Sequence, residues 1–141
     1  MLCTWLNRIY GRDSRATQVI NVIVSALWAI GFLIHSLDIV QLNIPRLLVA
    51  RLDQFFVFAT ASALFSLLGL AFKGRQHQVL KFFGLSLGAV LQSILASGYV
   101  TSYPPLETML VINLVMLFWF LGALLYISKC EGFDGKYLRA R

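Results

Sequence analysis

Charge is what this 141-residue sequence has least of. Only 13% of its residues are Asp, Glu, Lys or Arg, about half of the ~25% found in an average soluble domain. Six are acidic, and proline, cysteine and histidine occur 3, 2 and 2 times. So few charges cannot clothe a soluble globule of this size, because a small domain leaves a large surface to cover. Disorder is excluded from the other side, since it needs low hydrophobicity and high net charge, and here 59% of residues are hydrophobic with a mean hydropathy of +0.78. The length leaves no room for a multidomain enzyme.

What is present is long apolar runs. Charges bracket four uncharged segments, 16–37, 54–72, 82–106 and 108–128. Each is close to the ~20 apolar residues that cross ~30 Å of hydrocarbon at 1.5 Å per residue. Barrel strands would be ~10 residues long with alternating polarity. The pattern predicts an all-α integral membrane four-helix bundle, a single transmembrane domain over 1–141, with spans near 17–36, 52–72, 80–100 and 107–128. Gly74 and its basic neighbours mark one turn, and Tyr99 to Pro105, with Ser102, Pro104 and Pro105, marks another. Pro105 suits the first turn of the fourth helix. In the outer segment 38–51, Asn43 is placed to cap a helix that starts near Pro45 and runs into the second span. At the N-terminus Leu2, Trp5, Leu6, Ile9 and Tyr10 share one helical face and Gly11 ends the pattern. That spacing predicts a short amphipathic helix lying on the membrane. A cleaved signal peptide does not fit, because the apolar stretch after Arg15 exceeds an h-region and Ser36-Leu37-Asp38 is no cleavage site.

Lys and Arg sort by side. Arg8, Arg12 and Arg15, then Lys73, Arg75 and Lys81, then Lys129, Lys136, Arg139 and Arg141 make ten on one side, against Arg46 and Arg51 on the other. The positive-inside rule places both termini and the second connection in the cytoplasm, which four spans require to agree. The net charge of +6 therefore encodes topology. A nucleic-acid surface is not expected, since the charges are scattered over short segments. Cys3 and Cys130 both fall on the cytoplasmic side, where thiols stay reduced, so no disulfide is expected.

The four uncharged runs hold no ionisable carboxylate, ammonium or guanidinium. Ion-coupled transporters and proton pumps place such a group in the membrane interior. Small multidrug resistance transporters share the size and span number but rely on a glutamate in the first helix. This first span has none. His35 and His77 fall on opposite sides and lack ligand partners at metal-binding spacing. No serine sits in a nucleophile motif, so no catalysis, cofactor or metal is expected.

The helix faces carry the remaining signal. The third span contains Gly84 and Gly88 as GxxxG, extended by Gln92 and Ala96, with Ala89, Ser93 and Ser97 in an adjacent row. The second has Ala59, Ser62, Ser66 and Gly69, the first Asn21, Ser25 and Ala29, and the fourth Asn113 and Gly122-Ala123. Small residues let backbones approach, and Ser, Asn and Gln hydrogen-bond across the contact. These strips either pack the bundle or join copies of it, and spacing alone does not choose. Asn113 is the in-chain partner on offer for the mid-span Gln92. Of Phe118-Trp119-Phe120, at least one ring must face lipid or another subunit. Trp5, Tyr10, Tyr99, Tyr103 and Tyr126 lie near span ends and read as interface anchors.

The general plan, short and basic at its ends with small and weakly polar residues along the helices, resembles that of small bacteriophage holins. The resemblance implies a host inner-membrane protein that contacts lipids, forms homo-oligomers and opens lesions. Holins more often have one to three spans, so the number here departs from the pattern. Two further readings stand beside it. One is an accessory, immunity or effector subunit docking another protein through Gly74 to Lys81 and Gly132 to Arg141. The other is an uncoupled channel with Gln92, Ser93 and Asn113 facing a pore.

Overall fold

The structure, a computed structural model, describes residues 2–10, 14–37, 49, 51–73, 75–101 and 107–131. Among these there are five α-helices and no strand. They are α1 (Leu2–Tyr10), α2 (Ser14–Ser36), α3 (Leu52–Ala71), α4 (Arg75–Thr101) and α5 (Glu107–Tyr126), and α5 runs into one π-helical turn, Ile127–Glu131. α2 to α5 are long and apolar enough to cross a membrane. Helix is the natural state of such segments, because lipid offers no partner to an unpaired amide or carbonyl. The ends close locally: the Gln54 and Phe55 amides donate to Arg51 O, and the amide of Phe72, already extended, donates back to Leu68 O.

The helix limits lie within a few residues of the predicted span limits except at the start of α4, which is Arg75 rather than near 80. A charge marks where hydrocarbon begins, but Arg and Gln are good helix formers and do not stop a helix. Lys81 is therefore not in a connection. It lies two turns inside α4 and is 1% exposed.

Successive helices pack antiparallel. Phe32 meets Phe55 where Asn21 meets Ser66, and the Gly84 backbone lies against Ser66. α4 is central, touching α2, α3 and α5, and half of its central window is buried against 22% for each of the other spans. One apolar cluster (Leu6, Tyr10, Leu85, Ala89, Phe120, Ala123 and Ile127) lies on the α5 side of α4. A second (Ala29, Phe32, Ala59, Leu91, Leu95 and Tyr99) fills the opposite end. The antiparallel order gathers Arg8, Arg15, Lys73, Arg75, Lys81 and Lys129 at the end that holds α1, and Arg51 and Asp53 at the other.

α1 does not lie apart from the bundle. It runs back along the end of α5, with Cys3 beside Cys130, Asn7 beside Tyr126, and Tyr10 beside Trp119. Leu6 and Tyr10 are buried, while Leu2 and Trp5 stay exposed. This register corrects the expectation of no disulfide. Cys3 and Cys130, 127 residues apart, are bonded with their Cα atoms 5.6 Å apart, an ordinary separation for the link. Compartment speaks for two free thiols, whereas the pairing follows from how α1 folds back.

Candidate functional site

Three short polar stripes meet inside the bundle. α2 supplies Gln18, Asn21 and Ser25, each 0% exposed and on one face at spacings of three and four. α3 supplies Ser62, Ser66 and Gly69, and α4 supplies Gly84, Gly88 and Gln92, all buried. The glycines make the meeting possible. A Cβ at Gly84 would overlap Ser66 Oγ and lie 2.8 Å from the Ser66 amide nitrogen. At Gly88 it would overlap the Asn21 amide oxygen and lie 2.9 Å from its Cγ. At Gly69 it would lie 3.1 Å from Gln18 Nε2.

Asn21 ties the three helices together. Its Nδ2 donates to Ser66 Oγ at 2.7 Å and to Gly84 O at 2.9 Å, with Ser62 Oγ farther off at 3.3 Å. An amide nitrogen has two protons, so the nearer pair takes them. Ser25 Oγ lies 3.0 Å from Ser62 Oγ and 3.3 Å from Asn21 Oδ1, and Ser62 Oγ donates to Gly84 O at 3.2 Å. Groups polarised in one low-dielectric network strengthen one another. Serine and threonine elsewhere behave differently. Thr60, Ser86 and Ser93 donate to carbonyls four residues back in their own helices, which needs no second helix.

Two amides in this interior are not satisfied. Gln18 has no hydrogen-bond partner at either side-chain atom, and Gln92 has none at Nε2. Leaving a buried polar group unpaired costs ~1–3 kcal/mol. Gln18→Met, similar in length and free of polar atoms, is expected to raise the stability of the bundle by roughly 1–3 kcal/mol. Denaturant-titrated unfolding in mixed micelles measures this, and a drop in stability would show that the amide is held after all.

The residues singled out by spacing divide as follows. Ser62, Ser66, Gly69, Gly84, Gly88, Gln92 and Ala96 are buried within the chain, so these faces meet each other rather than an outside surface. Ser93 is exposed and bonds Ala89 O at 2.9 Å, which removes it from the strip. Ser97, one turn on, is exposed with it, while Ala89 of the same row is buried in the cluster on the α5 side. Gln92 and Asn113 do not join: Gln92 Nε2 has no partner, and Asn113 Nδ2 donates to Met109 O at 2.7 Å within its own helix. Gln92, Ser93 and Asn113 thus do not share a lining.

Of the aromatic anchors, Trp5 is 61% exposed and Tyr126 donates from its half-buried ring to Asn7 Oδ1 at 3.0 Å. Tyr10 and Tyr99 are both buried against the rest of the chain. Tyr10 fills the space left by Gly122 and donates to Trp119 O at 3.2 Å. Burial raises its phenol pKa, which keeps that proton in place. Tyr103 and the 38–48 segment lie outside the described residues. Phe118 is 69% exposed and Phe120 fully buried, so one run of aromatics serves both sides of α5.

The basic docking segment loses much of its surface. Gln78 and Lys81 are buried and His77 Nδ1 contacts Gly69 O, leaving Arg75 and Gln76 outward. Residues 132–141 lie outside the described part. No cluster of three or more His, Cys, Asp or Glu occurs among the described residues. Sequence spacing missed Gln18, although it continues the Asn21–Ser25 stripe by one step. Comparison with protein-family models, curated proteins and solved structures finds no match to this chain.

Proposed function

We propose that this chain is an inner-membrane protein with both termini in the cytoplasm, and that copies of it assemble and permeabilise the bilayer in the manner of holins. The observation that carries the reading is the buried polar seam with its unsatisfied amides. An apolar outside seals the single bundle in lipid, while Gln18 and Gln92 keep a penalty inside it. If the helices part around an aqueous lesion, water satisfies those amides and Asn21, Ser25, Ser62 and Ser66 as well. The sealed and opened arrangements then differ by a few kcal/mol, the gap a two-state element needs. The basic end supports the orientation, with Arg8, Arg15, Lys73, Arg75, Lys81 and Lys129 on the side that the positive-inside rule assigns to the cytoplasm.

Because α4 spends its small-residue face inside the chain, copies would meet through outer faces or after opening, not through Gly84 and Gly88 in the sealed form. The test is induction of the chain alone in a bacterium with a co-expressed cytoplasmic hydrolase, following membrane potential and hydrolase release. Abrupt depolarisation with release is expected, and Gln18→Met should delay it by stabilising the sealed state. Harmless accumulation at high level would overturn the proposal and favour a protein-binding role.

A further inference from the structure

We propose that Cys3 and Cys130 form a thiol–disulfide switch that decides whether α1 is fastened to the bundle. α1 is nine residues long, too short to hold a helix unaided in water. What fastens it is a small set of contacts: buried Leu6 and Tyr10, the Tyr126–Asn7 hydrogen bond, the Tyr10–Trp119 bond, and the disulfide. The disulfide sits at the outermost point of this register. Cys3 lies in the first turn of α1 and is exposed, and Cys130 lies in the π-helical turn and is half-buried. A small thiol or disulfide can reach the pair from solvent.

The exchange balances with a low-molecular-weight disulfide of the glutathione class. One cysteine thiolate attacks that disulfide, forms a mixed disulfide and expels one small thiolate. The second cysteine then attacks the mixed disulfide, closes the protein bond and releases the second small thiol. Two protein thiols are oxidised and one small disulfide is reduced to two thiols. Reduced glutathione runs the sequence backwards. The cytoplasmic placement of this end rests on the function proposed above, and there the pair is open in a resting cell and closes on oxidation. Released α1 has a second seat. Leu6 and Tyr10 rejoin Leu2, Trp5 and Ile9 on one amphipathic face, which suits a lipid surface.

The test uses the full chain in membrane vesicles equilibrated with reduced or oxidised glutathione, then acid-quenched and labelled with a polymer-linked maleimide. Two labels are expected after reduction and none after oxidation, and Cys3→Ser should take one label after reduction and carry one glutathione on Cys130 after oxidation, a mass increase that the wild-type chain does not show. Hydrogen exchange is read on the same samples. Amides of residues 2–10 should exchange roughly tenfold faster or more in the reduced form, with α2 to α5 unchanged, and Cys3→Ser with Cys130→Ser should match the reduced form in either buffer. Cysteines still labelled after oxidation, or equal exchange of α1 in both states, would overturn the switch. Labelling of intact spheroplasts with a membrane-impermeant maleimide separates this from orientation. Reaction from outside refutes the cytoplasmic placement, while the vesicle result decides the switch on its own.

Discussion

Gly84→Ala should destabilise the folded bundle by about 3 kcal/mol, although alanine is the better helix former by ~1 kcal/mol. The added methyl meets Ser66 Oγ, the Ser66 amide nitrogen at 2.8 Å and its Cα at 3.0 Å. Two of those three atoms are backbone, so α3 and α4 must separate, and separation also lengthens the bonds that Gly84 O accepts from Asn21 and Ser62. Gly88→Ala is a matched control. The three atoms nearest its methyl all belong to the Asn21 amide, which can rotate, and the expected loss is about 1–2 kcal/mol. Unfolding in mixed micelles, followed by tryptophan fluorescence, measures both. Equal losses, or a larger one at Gly88, would contradict the packing.

Asn21→Asp is expected to cost about as much, roughly 3–4 kcal/mol, at nearly constant shape. The carboxylate keeps the volume of the amide but loses both protons. Ser66 can turn its own hydroxyl toward the new oxygen, whereas Gly84 O has nothing to give. A carboxylate also carries an insertion cost, ~2.5–3.5 kcal/mol at a helix centre and less at Asn21, which lies in the first third of α2. Asn21→Leu separates the two effects. It removes the two interhelical hydrogen bonds without adding charge, and such bonds in membranes average ~0.6 kcal/mol each, so a loss of about 1 kcal/mol is expected before any misfit at Gly88. If Asp were no worse than Leu, Asn21 would be a spacer and not the donor that links three helices.

These variants also mark how far sequence reaches. The spans were legible because charge and apolar length are set by the solvent, and α2, α3 and α5 end within a few residues of the bracketed runs. The start of α4 was not, since Arg75 to Lys81 can be helical on either side of the hydrocarbon edge. Small and polar faces were visible as spacing, but their pairings were not. Gly84 against Ser66 and Gly88 against Asn21 depend on register between separate helices, in the second case between helices with all of α3 between them in the chain, and nothing local fixes that. Ser93 failed for a related reason. One residue is 100° of helix, enough to carry a hydroxyl from the seam to the outside. The disulfide was hidden deepest, because its two ends are joined by the fold of α1 rather than by any pattern around either cysteine.

The central seat of α4 has a bearing on biosynthesis. Synthesis delivers α2 and α3 first, and for a time they are alone in the bilayer with their polar stripes on view. Asn21 and Ser25 can then bond Ser62 and Ser66 with no further helix, since those contacts lie within the α2–α3 pair. The Gly84 carbonyl arrives later and takes up the second Asn21 proton. The early hairpin thus shields most of its polar atoms while the ribosome is still adding α4, and α5 closes the far side last.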